Sequence, residues 1–168
     1  MRRIRYTRLM HITILGRQPA ISIAELERVY SDVSWFSDIS ALVNTDYIDI
    51  TRLGGCQKAG TVVLQVPGRD WRAASLKIVQ HYSQAWAKKE GKVTLGISAY
   101  GFSEGPRDIQ KTGLVLKSKL KQTGTSLRLI PNQESILSTA TSHHNKLGLS
   151  DNKVELIVVK SQSGIVIA

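Results

Sequence analysis

The chain of 168 residues contains a single cysteine, Cys56, and no apolar run close to the roughly 20 residues that a membrane-spanning helix needs. One thiol cannot close an internal disulfide or build a thiolate metal site, which is typical of proteins kept in a reducing cytoplasm. The basic residues 1–5 are not followed by the apolar segment of a secretory signal. These absences predict a cytoplasmic protein that does not associate with a membrane.

Acidic residues are also scarce, since 13 Asp and Glu stand against 23 Lys and Arg and give a formal net charge of +10. The excess is concentrated in the second part of the chain: residues 1–66 carry a net charge of +2 and residues 67–168 carry +8. A field of this sign attracts phosphate-bearing partners and makes their binding depend on salt. The charge alone fits a solvated basic surface equally well, so a nucleic-acid partner needs further support.

The first 66 residues carry the pattern of a small α+β domain. Residues 11–15 alternate and end at Gly16, which predicts a strand. The pair Ser22 and Glu25 has the spacing of a capping box and predicts a helix that begins there and ends near Tyr30. A hairpin and one further strand are predicted at residues 39–43, 47–50 and 61–66. This order is that of a ferredoxin-like domain whose second helix is missing or reduced.

Pro67-Gly68 interrupts the chain and predicts a domain boundary after residue 66. Beyond it, apolar residues recur at helical spacing from Trp71 to Trp86, and a second helix is predicted from Pro106 to Lys121. Strands are predicted at residues 92–100, 126–130, 136–140, 154–159 and 164–167, with a short turn or helix at residues 141–147. The whole chain is therefore expected to have an α+β fold in two domains, residues 1–66 and 67–168.

The helix predicted from residue 106 is strongly basic outside its apolar stripe. Lys117 and Lys121 lie one turn apart, where like charges repel by about a few tenths of a kcal/mol. A polyanion along this face would relieve the repulsion, whereas the alternative is an ordinary solvated lysine-rich helix. The cations of this helix are Arg107, Lys111, Lys117, Lys119 and Lys121.

Residues 141–146 form the densest polar stretch of the chain and include His143, His144, Asn145 and Lys146. Free backbone N–H groups at the start of a helical turn favour a phosphate, although a plain surface turn has the same composition. Adjacent histidines point in different directions, and no cysteine or carboxylate stands nearby at ligand spacing. We therefore predict RNA contacts here and no metal site.

The sequence offers no catalytic set. It contains neither a P-loop nor a dinucleotide-binding fingerprint. Cys56 has no predicted base or orienting residue beside it and is interpreted as a small packed residue rather than a nucleophile. Trp71, Tyr82 and Trp86 fit the core of a helix better than a platform for base stacking.

Several stretches of the sequence, in this order and spacing, resemble the N-terminal half of the archaeal-type tRNA guanine-10 N2-methyltransferases and related RNA methylases with a THUMP domain. Together they extend over nearly the whole chain, although no single motif is as specific as a zinc signature. The stretches are residues 15–19, 24–26, 52–55 with Lys58, 96–98, 113–121, 126–128, 137–147 and 154–158 with Gly164.

The resemblance implies a ferredoxin-like domain at residues 1–66 and a THUMP domain at residues 67–168 that binds the acceptor stem and 3′ CCA end of tRNA. In such enzymes, catalysis belongs to a separate Rossmann-type domain of the same polypeptide, which uses S-adenosylmethionine. Its Asp-Pro-Pro-Tyr-type motif does not occur in this sequence. The chain by itself is therefore expected not to be an enzyme, and no catalytic or cofactor-binding residue is assigned to it.

The resemblance also implies RNA-binding residues on the matching stretches, while Arg17 fits a structural role at the helix entry equally well. Lys111 and His143 join them from the basic helix and the polar stretch. Two alternatives remain: the THUMP module of a tRNA thiolation or pseudouridylation enzyme, and a non-enzymatic domain whose basic helix binds an acidic protein. The predicted RNA-binding residues are Arg17, Lys111, Lys117, Lys121, Arg128, His143, Asn145 and Lys146.

Overall fold

The computed structural model describes residues 9–168, which form a first compact unit up to Val63 and a second from Leu64 to Ile167. The basic start of the chain, residues 1–5, lies outside the described residues. Four α-helices and two sheets account for most of the described chain, which confirms the predicted α+β class. No helix within residues 9–168 is long and apolar enough to cross a membrane.

The first unit is a four-stranded antiparallel sheet with one helix. Its strands lie in the order β2-β3-β1-β4, and every neighbouring pair is antiparallel. This is the ferredoxin-like order, with a single 3₁₀ turn in the place of the second helix. The elements are β1 (Leu9–Leu15), α1 (Pro19–Val29), β2 (Val33–Ser37), β3 (Ser40–Thr45), the 3₁₀ turn (Ile50–Arg52) and β4 (Cys56–Thr61).

The hairpin predicted from residues 39–43 and 47–50 is wrong. The hairpin of the structure joins β2 to β3, with Val33 opposite Val43. Residues 47–49 are irregular, and the 3₁₀ turn follows them because the Asp49 side chain accepts a hydrogen bond from the backbone N–H of Thr51 at 3.1 Å. A side chain that bonds its own backbone two residues further on favours a turn over a strand.

The predicted capping box is also wrong, because α1 begins at Pro19, a residue suited to the first helical turn. Ser22 is buried inside the helix, and its hydroxyl donates a hydrogen bond of 2.6 Å to the carbonyl of Gly55. The two carboxylate oxygens of Glu25 accept the N–H groups of Gly54 and Gly55 at 2.8 Å each. This pair of side chains therefore holds the 54–55 loop against α1 rather than capping the helix.

Replacing Glu25 with Gln is expected to lower the free energy of unfolding of the first unit by about 1–3 kcal/mol, the range for a hydrogen-bonding group left without its partner. The amide nitrogen of Gln would face one of the two backbone N–H groups, which would lose its acceptor. Urea denaturation of Glu25→Gln measures the effect, with Glu27→Gln, exposed on the same helix, as the control. Equal losses in the two variants would contradict the role of the carboxylate.

The second unit contains a five-stranded mixed sheet in the order β5-β9-β8-β6-β7. Strand β6 is parallel to β7 and β8, whereas β9 is antiparallel to β8 and β5. The elements are β5 (Leu64–Val66), α2 (Trp71–Ala85), β6 (Lys92–Tyr100), α3 (Pro106–Gln122), β7 (Ser126–Leu129), α4 (Thr139–His144), β8 (Lys153–Lys160) and β9 (Ile165–Ile167).

Two strand predictions differ from the structure in this part of the chain. Residues 61–66 are not one strand, because Leu64–Val66 pairs with Ile165–Ile167 and belongs to the second unit. The strand predicted at residues 136–140 is absent from the described chain, and α4 begins at Thr139 instead. Ser138 caps this helix by accepting the backbone N–H of Thr141 at 3.1 Å.

The two faces of the second sheet are covered differently. Alternate residues of β6, such as Leu95 and Ile97, enter the core formed with α2 and α3. Gly96 faces the opposite side, where the side chains of Leu137 and Leu147 lie so close that an added Cβ would clash with both. Residues 130–147, which we call the cover segment, therefore place Leu137 and Leu147 on the face of the sheet opposite α3.

Candidate nucleic-acid interface

The outer strand of the second sheet, β7, positions the cations predicted on α3. Gly113 of α3 packs on Leu129 of β7, while the Thr112 hydroxyl donates a 2.8 Å hydrogen bond to Ser75 of α2 on the other side. Lys117 and Lys121 follow Gly113 at steps of four residues, so they lie on the β7 flank of the helix. Both side chains are exposed.

Arg128 lies on β7 itself and points to the other side of the sheet. Its neighbour Leu127 is buried in the core on the helix side, and alternation along a strand places Arg128 on the opposite face. The side chain is exposed. Lys117, Lys121 and Arg128 thus lie along one rim of the sheet, from the α3 side to the opposite side; we call these three residues the β7 edge.

An open pocket of about 540 Å³ lies next to Arg128, between the end of β7 and α4. Its lining combines apolar side chains with hydroxyl, amide and imidazole groups, and one carboxylate, Glu134. A concave lining that combines apolar and polar groups can accommodate an unpaired base. The residues that matter for this argument are Ile130, Pro131, Ile136, Thr141, His144 and Asn145.

The polar stretch at residues 141–146 runs across the end of α4, whose last residue is His144. Asn145, predicted to bind RNA, lines the pocket and donates its side-chain amide to the carbonyl of Thr141 at 2.9 Å. His144 also lines the pocket, whereas His143, the predicted residue, is exposed about 100° further round the helix. Lys146 is exposed in the left-handed backbone region, with a φ of 55°. Thr141 and His144 are three residues apart and so share one face of a helix, and this spacing in the sequence indicates His144 rather than His143 as the partner of Thr141.

Two other predicted RNA-binding residues lie away from the β7 edge. Lys111 is on the α2 flank of α3, in a groove of about 410 Å³ that Arg72, Asp108 and Val115 also line. Arg17 belongs to the first unit, where it is exposed in the loop between β1 and α1. Of the predicted residues, Lys117, Lys121, Arg128 and Asn145 are therefore the ones that the structure groups at the β7 edge and its pocket.

Neither a metal centre nor a reactive thiol emerges from the described residues. Within residues 9–168, no three His, Cys, Asp or Glu side chains lie close enough together to hold a metal ion. Cys56 is half-buried, and its burial, together with the negative charge of Glu25, raises the pKa of the thiol from 9.0 to about 11, although a hydrogen bond with Thr13 acts in the opposite direction. A raised pKa keeps this thiol protonated and poorly nucleophilic.

Alkylation of Cys56 by iodoacetamide at pH 8 is expected to be about a hundredfold slower than alkylation of an unperturbed cysteine. An increase in pKa from 9.0 to about 11 reduces the thiolate fraction at this pH by about two powers of ten. The rate in 8 M urea, where burial is lost, serves as the reference. Native and unfolded chains that react equally fast would contradict the shift.

Comparison with known proteins gives a distant structural similarity. No known family and no curated protein matches the sequence. The solved structure of PH1313 from Pyrococcus horikoshii Ot3 aligns with 95% of the chain at 12% sequence identity and a TM-score of 0.49. The chain covers 53% of that protein, or about half of its length. A similarity at this level does not identify a function.

Proposed function

We propose that this chain is a tRNA-binding module of the THUMP type that binds the acceptor stem and 3′ end of tRNA at the β7 edge and its pocket. The observation that carries the proposal is the arrangement of Lys117, Lys121 and Arg128 along one rim of the sheet, beside a pocket with apolar and polar lining. The net charge of +10 and the sequence resemblance support the same partner.

The division of work within this interface follows from its chemistry. Cations along a rim bind closely spaced phosphates and set the position of the RNA without reading its sequence. The pocket next to Arg128 accepts one unpaired base, which the exposed apolar side chains of Pro131 and Ile136 contact and the polar groups of Thr141 and Asn145 orient. An acceptor end supplies both parts, a duplex backbone and a single-stranded 3′ terminus.

We further propose that the module serves an S-adenosylmethionine-dependent tRNA guanine N2-methyltransferase of the cytoplasm. In this proposal, the methyl transfer belongs to a catalytic domain in the same polypeptide, and S-adenosylmethionine binds there. The chain alone then has no methyltransferase activity. Its role is to hold the tRNA so that the target nucleotide reaches that domain, and a thiolation or pseudouridylation domain in the same place would use the module in the same way.

A second candidate function, docking of an acidic protein, is favoured by the groove between α2 and α3. Arg72 and Lys111 line this groove, and the nearby Leu76 and Val115 are 66% and 42% exposed. Apolar side chains flanked by cations suit an acidic amphipathic segment. Glu104 and Asp108 in the same groove weaken its attraction for such a partner, which is why we place RNA first.

The proposal is tested by the binding of the purified chain to three polyanions: intact tRNA, the same tRNA without its single-stranded 3′ end, and heparin. We expect intact tRNA to bind most tightly, the shortened tRNA to bind more weakly, and heparin to compete poorly at equal charge. Affinity that is the same for both tRNAs and is abolished by heparin would show a general polyanion surface. Tight binding of an acidic peptide but not of tRNA would favour the second candidate.

A further inference from the structure

A network of hydrogen bonds joins the cover segment to the sheet around Glu155. This residue lies on β8, opposite Gly96 of β6. One oxygen of its carboxylate accepts the hydroxyl of Ser98 on β6, and the other accepts the hydroxyl of Ser142 on α4, both at 2.6 Å. The Ser98 oxygen in turn accepts the backbone N–H of Leu137 at 3.0 Å.

The short distances and the burial indicate a strong attachment. Ser98 is fully buried and Leu137 is 3% exposed, so water competes little for this inner part of the network, whereas Glu155 and Ser142 are half-buried. Hydrogen bonds to a charged acceptor are stronger than those between neutral groups. Elsewhere, the Asn132 amide donates to the carbonyl of Ile97 at 2.8 Å, so the early part of the cover segment has its own attachment. The Glu155 carboxylate provides an attachment that reaches α4.

Helix α4 needs such an attachment because it is only six residues long. Isolated helices shorter than about 12 residues are marginal in water, and each residue of α4 is exposed or half-buried. Ser142 faces the sheet through its bond to Glu155, whereas Thr141, His144 and Asn145 face the pocket. The carboxylate therefore fixes the face of α4 that contains the pocket residues.

We propose that Glu155 is the positioning residue of the pocket: by holding Ser142 and Ser98, it keeps Thr141, His144 and Asn145 opposite Arg128, in the arrangement that binds the RNA end. The proposal rests on the proposed function. The proposal makes the negatively charged Glu155 a requirement for binding RNA, although the charge of its carboxylate repels RNA.

This difference in sign separates positioning from charge. Removing a carboxylate near bound RNA lessens repulsion and strengthens binding, whereas removing an attachment of α4 weakens it. Glu134 provides the matched control, since it lines the same pocket, is exposed, and carries the same charge. Glu155→Gln replaces the two charge-assisted hydrogen bonds with weaker neutral ones, and Ser142→Ala removes one of them without any change of charge.

The first measurement is amide hydrogen exchange in the free chain. We expect the amides of Leu137 and Asn145 in Glu155→Gln, and the amide of Asn145 in Ser142→Ala, to exchange at least about tenfold faster, since a hydrogen bond to a charged group is lost. In Glu134→Gln, both rates should equal those of the unchanged chain. Wild-type exchange rates in both attachment variants would overturn the proposal.

The second measurement is tRNA affinity. We expect a fall of about fivefold or more in Glu155→Gln and Ser142→Ala, and tighter binding in Glu134→Gln, because the loss of its charge lessens repulsion. The loss should be less than additive with Asn145→Ala, which acts through the same pocket, and additive with Lys117→Ala on the opposite side of the sheet.

Unchanged or tighter binding in Glu155→Gln, despite faster exchange, would overturn the positioning role. An unchanged chain that binds no tRNA would overturn the proposed function as well, while the exchange rates would still report whether the attachment exists.

Discussion

Replacing Lys117, Lys121 and Arg128 together with Ala is expected to lower the affinity for tRNA by about a hundredfold, if each phosphate contact contributes about 1 kcal/mol. The same change should reduce the slope of log affinity against log salt by about two to three, since each phosphate contact on a duplex adds roughly 0.9 to it. The fold should persist because all three side chains are exposed. Filter binding from low to moderate salt measures both quantities.

The control for this triple variant removes the same charge elsewhere in the second unit. Arg69, Lys77 and Lys88 are exposed, and Lys88 is best replaced with Gly because its φ of 57° lies in the left-handed region. We expect Arg69→Ala, Lys77→Ala and Lys88→Gly together to reduce affinity by less than about tenfold, through the general field alone. Equal losses in the two triple variants would mean that the β7 edge is no special site.

Replacing Trp71 with Ala is expected to lower the free energy of unfolding of the second unit by about 3–5 kcal/mol, the range for removing a buried aromatic side chain. Trp71 is 5% exposed and contacts Phe102 edge-on at 5.1 Å between ring centroids. Its indole N–H donates to the carbonyl of Asp108 in the first turn of α3, at 3.3 Å. The ring therefore links α2 to α3 as well as filling the core.

Urea denaturation followed by far-UV circular dichroism measures this loss. Leu76→Ala on the same helix is the control, because Leu76 is 66% exposed and should change the free energy of unfolding by less than about 0.5 kcal/mol. Similar effects of the two substitutions would contradict the burial of Trp71. A large loss also predicts weaker tRNA binding, because α3 carries two residues of the β7 edge.

The long elements of the fold could be predicted from the sequence because their burial pattern is local. The sequence predicts α3 from Pro106 to Lys121, and the helix ends at Gln122; it predicts β6 at residues 92–100, as the structure has it. Short apolar runs failed where their partners are distant in sequence. Leu64–Val66 pairs with a strand about a hundred residues later, and Leu137 fills the space over Gly96 instead of continuing a strand.

The candidate site was partly predictable for a similar reason. The composition of α3 and of residues 141–146 identifies cations and polar groups, but it does not say which flank of a helix faces an edge strand. That depends on the packing of Gly113 on Leu129, which separates Lys117 and Lys121 from Lys111. Glu155 had no local signal at all, because its partners are 57 and 13 residues away in the chain.

The central claim, that RNA binds along the β7 edge and enters the adjoining pocket, is tested most directly by NMR. The ¹⁵N-labelled chain is titrated with an RNA hairpin that ends in a single-stranded 3′ overhang. We predict that the largest chemical-shift changes cluster at Lys117, Lys121, Arg128, Thr141 and Asn145, and that the same hairpin without its overhang leaves Thr141 and Asn145 unchanged. Changes centred on α1 or on the outer face of α2, or no changes at all, would contradict the claim.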